Sequence, residues 1–277
     1  MRKNILLPTD FSDNAWTAAL YALKLYESEP CTFYFLHSSK LKASSMTNMS
    51  SKLSRVISEN ALNDLTSLKQ KAESINKLEN HRFEIILSTF DLKDAMEGVA
   101  EQQEINMVIM GTKGTTKAKG IVFGSNTINT MKSLKTCPVL AIPDDYEFRE
   151  PKQIAFPTDF NRNYGDELKP LKDVSKLYNS TITVVHVNKE DDITEAQDYN
   201  LDQLKISLEK YPHTFHWMPN HGKIEQGIKD FIDQFDMDML VMINYQHSFI
   251  ESIMNEPVIK KLGFQPTLPF LVIPCLN

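Results

Sequence analysis

Two stretches of this chain repeat each other: NILLPTDFSDN at Asn4 to Asn14 and QIAFPTDFNRN at Gln153 to Asn163. In both, an apolar run ends in Pro-Thr-Asp-Phe and a polar residue, the pattern of a buried strand running into a turn that opens a helix. The two lie 149 positions apart, and at the same offset FYFLHSS (Phe33 to Ser39) meets ITVVHVN (Ile182 to Asn188), so that His37 falls on His186. One match can arise by chance; two in register point to a duplicated domain. Later segments keep their order at a smaller offset. INMVIMGT (Ile105 to Thr112) parallels MDMLVMIN (Met237 to Asn244), and PVLAIP (Pro138 to Pro143) parallels PFLVIP (Pro269 to Pro274). The shift has a visible cause: the first half carries a long polar helical stretch, Ser50 to Leu78, where the second has only Ile193 to Tyr211.

A chain of 277 residues is long for one compact domain and comfortable for two, since single domains cluster near roughly 100 to 150 residues. In the first half the β-type runs are Asn4 to Thr9, Thr32 to His37, Arg82 to Ser88, Met107 to Met110 and Val139 to Ile142, with amphipathic helical stretches between most of them. Alternating strands and helices imply a parallel sheet covered by helices on both faces. The expected fold is therefore α/β, two tandem doubly wound parallel five-stranded sheets flanked by helices. The charged, proline-bracketed segment PDDYEFREPKQ, Pro143 to Gln153, marks the boundary. It is placed at residue 146, giving domains 1–146 and 147–277.

In such sheets ligands bind at the carboxyl ends of the strands, beside the point where strand order reverses. Two loops of the first half stand there. One is Pro8-Thr9-Asp10; the other is MGTKGTTKAKGIVFGSN, Met110 to Asn126, which holds Gly111, Gly114, Gly120 and Gly124, four of the nine glycines in the chain. Gly111 and Gly114 are expected to take left-handed conformations and to let backbone N–H groups approach an anion. Gly124-Ser125-Asn126 is expected to open a helix, whose free N–H groups and dipole favour phosphate, with Ser125 either capping that helix or giving its hydroxyl to a phosphate oxygen. Lys113, Lys117 and Lys119 add positive charge. Glycines also serve tight turns, and a lysine-bearing loop is often merely solvated, so spacing alone leaves both readings open. GIVFGS lacks the Lys that a Walker loop carries before its Ser, and no GxGxxG follows the first strand. A P-loop and a dinucleotide fold are both disfavoured.

These residues resemble a known family. Gly111-x-x-Gly114, nine residues, then Gly124-Ser125 is similar to the nucleotide-binding motif of the universal stress proteins, and PTDFS at Pro8 to Ser12 resembles that family's first strand and loop. The closing CPVLAIP, Cys137 to Pro143, fits as well, and the resemblance covers essentially the whole chain as two tandem domains of the adenine nucleotide alpha hydrolase-like type. It implies a protein that binds ATP, or AMP or ADP, with or without magnesium, in stress response or nucleotide sensing, with at most slow hydrolysis. It further implies that Asp10, with Pro8 and Thr9, lies at the adenine with Ser38 near the base. Met110, Gly111, Lys113, Gly114 and Gly124 line the ribose and phosphates, and Ser125 and Asn126 hold phosphate oxygens. For Asp10 alone, a turn-forming or helix-capping role is the plainer reading. Members of the family commonly pair through their last strands, here Val139 to Ile142 and Phe270 to Ile273, so the two halves are expected to form an internal pseudo-dimer, with a homodimer of chains as a further option.

The second half departs from the motif. Asp159 survives, but the glycine positions have become Ile243-Asn244-Tyr245-Gln246, and no glycine occurs from Ile228 to Leu262. One nucleotide site is expected, in the first domain.

Other signals carry less. A net charge of −6 gives no broad positive field for nucleic acid. No signal peptide and no apolar run near the roughly 20 residues of a membrane span is present, so a cytoplasmic protein is expected. Cys31, Cys137 and Cys275 have no CxxC spacing and read as reduced, mostly buried thiols. His213, His216 and His221 invite a metal, but strand alternation puts the first two on opposite faces. His37 and His186 end equivalent strands, where packing or hydrogen bonding is the plainer role. Leu53, Val56, Ile57, Leu62, Leu65 and Leu68 fall at helical spacing and suggest a surface helix with one buried face. Two rival functions keep the fold: an enzyme acting on the α-phosphate of ATP, for which no acid/base pair is placed by sequence, and an interaction module that binds no nucleotide.

Overall fold

The computed structural model describes residues 2–39, 51–112, 123–188, 193–219, 224–245 and 267–275, and the chain divides into two compact units, Met1–Phe148 and Arg149–Asn277.

In the first unit the strands are β1 (Lys3–Pro8), β2 (Cys31–Ser38), β3 (Arg82–Ser88), β4 (Met107–Gly111) and β5 (Val139–Ile142). They pair in parallel in the order β3-β2-β1-β4-β5. The central strands are apolar on both faces because helices cover both: Ile5, Leu6, Phe33, Leu36, Val108, Ile109 and Leu140 are fully buried. Four described helices lie between the strands: α1 (Asp13–Leu25), α2 (Ser51–Ile75), α3 (Leu92–Gln102) and α4 (Ser125–Ser133). Strand order reverses between β1, whose chain continues to β2 on one side, and β4 on the other. A crevice therefore opens at their carboxyl ends.

Helix α1 starts where the sequence signals it. The Ser12 side chain accepts the Ala15 N–H at 3.2 Å, Asp13 sits in the first turn and Lys24 in the last, matching the helix dipole. Its buried face, Ala18, Ala19, Tyr21, Ala22 and Leu25, packs on β4 and β5. Helix α2 lies over β3 and β2 and corrects one expectation. Its buried stripe is Ala61, Leu65 and Ala72, whereas Leu53, Val56 and Leu62 are exposed. At about 100° per residue Val56 stands about 180° and Leu53 about 120° around the helix from Leu65, and Leu62 falls on the flank. The two alanines let the helix sit close to the sheet.

The second unit repeats the order: β8 (His213–Met218), β7 (Thr181–Val187), β6 (Gln153–Pro157), β9 (Met239–Asn244) and β10 (Phe270–Pro274), parallel throughout. Its helices are α5 (Lys169–Tyr178), α6 (Glu195–Leu208) and α7 (Ile224–Gln234). A 3-10 turn at Gly165–Leu168 precedes α5, so the helix after β6 begins later than its counterpart after β1. The expected strand content and winding of both halves are those observed.

Candidate functional site

The first loop at the crevice is held by its own side chains. The Thr9 N–H donates to the Leu36 carbonyl at 2.8 Å, the Thr9 hydroxyl accepts the Phe11 N–H at 3.0 Å, and the Asp10 carboxylate accepts the Ser12 N–H at 3.1 Å. This is a turn reinforced twice by short polar side chains. It drives Phe11 into the left-handed region, φ 62°, where its ring packs on His37 at 4.6 Å between centroids. The His37 Nδ1 donates to the Thr9 carbonyl at 2.8 Å. His37 thus ties the end of β2 to the turn, the hydrogen-bonding role its position suggested. Asp10 shapes the turn with one carboxylate oxygen and still lines the crevice.

The second loop enters from β4. Gly111 is needed for packing and not for a left-handed bend, which corrects the expectation. A Cβ built there would stand 2.3 Å from Asn14 Oδ1 and 2.9 Å from the Asn14 carbonyl oxygen, so the glycine lets α1 lie directly against β4. Lys113 and Gly114, with Lys117, Lys119 and Gly120, lie outside the described residues. The chain returns at Phe123, and the Gly124 N–H donates to the Thr112 carbonyl, closing the loop at its base. Gly124 (φ −63°, ψ 152°) is the N-cap of α4 and supplies no side-chain cap. Ser125 is therefore the first helical residue and not the cap, leaving helix-start N–H groups without a side-chain acceptor. The Thr127 hydroxyl donates to the Gly111 carbonyl at 2.9 Å and pins the helix start to the end of β4.

One cleft gathers these pieces. Pro8, Thr9, Asp10, Ser38, Met110, Gly111, Gly124, Ser125 and Asn126 all line it, every described residue that the sequence singled out for binding. Ser38 is already engaged, its hydroxyl donating to the Phe90 carbonyl at 2.7 Å. Ala15, His37, Leu92 and Thr127 line the cleft too and were not assigned to it from sequence. Thr127 was findable as a hydroxyl two places after Ser125 at a helix start; Leu92 arrives only through the fold, at the head of α3.

The universal stress protein family model matches residues 1–143. The chain belongs to that family. A curated relative, Universal stress protein MJ0577 of Methanocaldococcus jannaschii, is 29% identical over 158 residues, covering 51% of this chain and 95% of its own length. A universal stress protein structure from Archaeoglobus fulgidus aligns over 99% of this chain and 97% of that one with a TM-score of 0.73 at 18% identity. A Pseudomonas aeruginosa UCBPP-PA14 structure assigned to the same family aligns over 99% and 93% with a TM-score of 0.61 at 14% identity. These two similarities speak to fold alone.

The second unit of this universal stress protein repeats the turn and sets protein side chains against its aspartate. The Thr158 hydroxyl accepts the Phe160 N–H at 3.1 Å, the Asp159 carboxylate accepts the Asn161 N–H at 3.0 Å, and His186 Nδ1 donates to the Thr158 carbonyl at 2.8 Å. Phe160 again has φ 56°, and its ring stacks on His186 at 4.7 Å. Just past β9, where the first unit has its glycine loop, the Tyr245 hydroxyl donates to Asp159 Oδ1 at 2.6 Å. The Arg162 guanidinium lies over the Tyr245 ring at 5.3 Å, pairs with buried Glu167 at 2.7 Å and reaches Cys275 Sγ at 2.7 Å. Burial pushes the hydroxyls of Tyr164 and Tyr245 well above the usual tyrosine range, and Tyr164 is hydrogen-bonded to the Thr158 hydroxyl. Asp159 is thus held by protein groups on two sides. Among the described residues no three His, Cys, Asp or Glu side chains gather to hold a metal, and no helix is long and apolar enough to cross a membrane. His221 and Gln246 lie outside the described residues.

Proposed function

We propose that the first unit binds an adenine nucleotide, ATP or its AMP or ADP relatives, in the cleft between β1 and β4, and that the protein acts as a cytoplasmic nucleotide sensor in stress response. The observation that carries this reading is the convergence, at the reversal of strand order, of an uncapped helix start at Gly124-Ser125-Asn126 with the Pro8-Thr9-Asp10 turn. Backbone N–H groups and the positive end of α4 suit phosphate oxygens. Asp10, on the other side of the cleft, offers a carboxylate to the amino edge of a base. The nucleotide would be held by Ser125 and Asn126 at its phosphates and by Pro8, Thr9, Asp10 and Ser38 at its base, with Met110, Gly111 and Gly124 between and Lys113 and Gly114 joining from the loop.

Binding suits the site better than fast catalysis. His37 and Asp10, the titratable side chains lining the described cleft, are both engaged in holding the turn, and general acid–base work needs groups poised against the reacting atoms. The second unit is a companion without a nucleotide, because Tyr245 and Arg162 occupy the space beside Asp159.

Calorimetric titration of the intact chain with ATP and magnesium tests this. One site per chain is expected, abolished by Gly124→Asp and unchanged by Asp159→Ala. Aspartate is itself a favourable N-cap, so Gly124→Asp keeps α4 while placing a negative charge at the phosphate position. Absence of heat with every adenine nucleotide would sink the reading and leave an interaction module.

A further inference from the structure

The cleft does not end at Asn126. Helices α3 and α4 pack side by side, and between them runs a second groove of about 440 Å³ that shares Leu92 and Asn126 with the cleft. That volume lies within the range of roughly 300 to 1,000 Å³ typical of small-molecule sites. Its walls set apolar Leu92 and Met96 beside polar and charged side chains. Lys93 stands on the first turn of α3, and Lys132 on the last turn of α4 beside Asn129 and Ser133. The Ser133 hydroxyl is buried and has no hydrogen-bond partner. The carboxylate in the groove, Asp91, caps α3 by accepting the Asp94 N–H at 3.0 Å. Lys93 is only loosely paired, 3.8 Å from an exposed Glu97, an arrangement that contributes little and leaves the cation available.

A phosphate seated at Ser125 and Asn126 therefore faces one way into the cleft and the other way into a partly apolar groove that carries two lysines. From Asn126 to Lys132 the helix rises about 9 Å, farther than a terminal phosphate reaches but within the span of a phosphate chain that continues to a second group. We propose that the preferred ligand carries a second, nucleoside-sized polar group beyond its phosphates, and so belongs to the dinucleoside polyphosphates. Its first nucleoside occupies the cleft, its phosphates pass the start of α4, and its far end lies between α3 and α4 against Lys93 and Lys132. This rests on the nucleotide reading of the cleft and specifies the ligand of that site.

The test uses diadenosine tetraphosphate and ATP, titrated separately into the intact chain and into the Lys93→Ala/Lys132→Ala double variant, whose fold is checked by circular dichroism. The expected result is that the tetraphosphate binds the unaltered protein about ten-fold more tightly than ATP, and that the double variant loses this advantage while its ATP affinity stays within about two-fold. ATP binding with no preference for the tetraphosphate, or an equal loss for both ligands in the variant, overturns the groove and leaves the nucleotide site standing. Binding of neither ligand overturns both.

Discussion

The two left-handed phenylalanines carry opposite balances of the same forces. A non-glycine residue in the left-handed region costs roughly 1–2 kcal/mol, and both Phe11 and Phe160 are held there by the same Thr and Asp side-chain bonds. What differs is burial: Phe160 is 1% exposed and Phe11 36%. Deleting a buried phenylalanine costs about 3–5 kcal/mol, which exceeds the strain relieved, so Phe160→Gly should destabilise its unit by about 2–3 kcal/mol. For Phe11→Gly the lost contact with His37 is half-solvated and the strain relief offsets much of it. A change of less than about 1 kcal/mol is expected there. Chemical denaturation of the two variants decides the matter, and equal losses would mean that the turn, and not the ring, sets the cost.

At the level of elements, the second unit's replacement of a glycine loop by Tyr245 has a consequence in alkali. Burial raises the folded-state pKa of Tyr164 and Tyr245 above the value of about 10 for an exposed tyrosine. Above that pH the unfolded chain releases these protons while the native chain keeps them, so the stability they contribute is present below about pH 10 and declines as pH rises. Each fully protected tyrosine adds at most about 1.4 kcal/mol per pH unit, and the partly exposed Tyr245 adds less. The thiols of Cys31 and Cys137, pushed by burial up to about 12 and about 11, give slopes of the same sign in any variant and cancel. Tyr245→Phe should therefore lose less stability between pH 9 and pH 11 than the unaltered protein; parallel curves would deny the buried hydroxyl its role. The sequence announced the loss of glycine and the bulkier residues in its place, Tyr245 among them, but not the partner of Tyr245, because a tyrosine after a strand says nothing of Asp159, 86 positions earlier. The strands and their winding were readable because both-face burial writes continuous apolar runs. Gly111 was misread for a related reason: its neighbour Asn14 belongs to a distant helix, and only packing shows that the missing Cβ makes room for α1.

Across the whole molecule, one turn is built twice in different surroundings. Thr-Asp-Phe with a strand-end histidine recurs bond for bond in both units, yet the first leaves Asp10 lining a cleft and the second hydrogen-bonds Asp159 to Tyr245. Ligand binding to the native state alone slows local opening in the segments it touches, and the gain grows as RT ln(1 + [L]/Kd), about 2.7 kcal/mol at one hundred times Kd. Hydrogen exchange with ATP at that excess should therefore protect residues 8–12, 108–112 and 124–128. Residues 157–161 and 240–244, their structural counterparts in the second unit, should exchange as they do without ligand. Protection of the second set to the same degree would mean that Tyr245 yields its place to a nucleotide, and that the repeat has kept two sites where one is proposed.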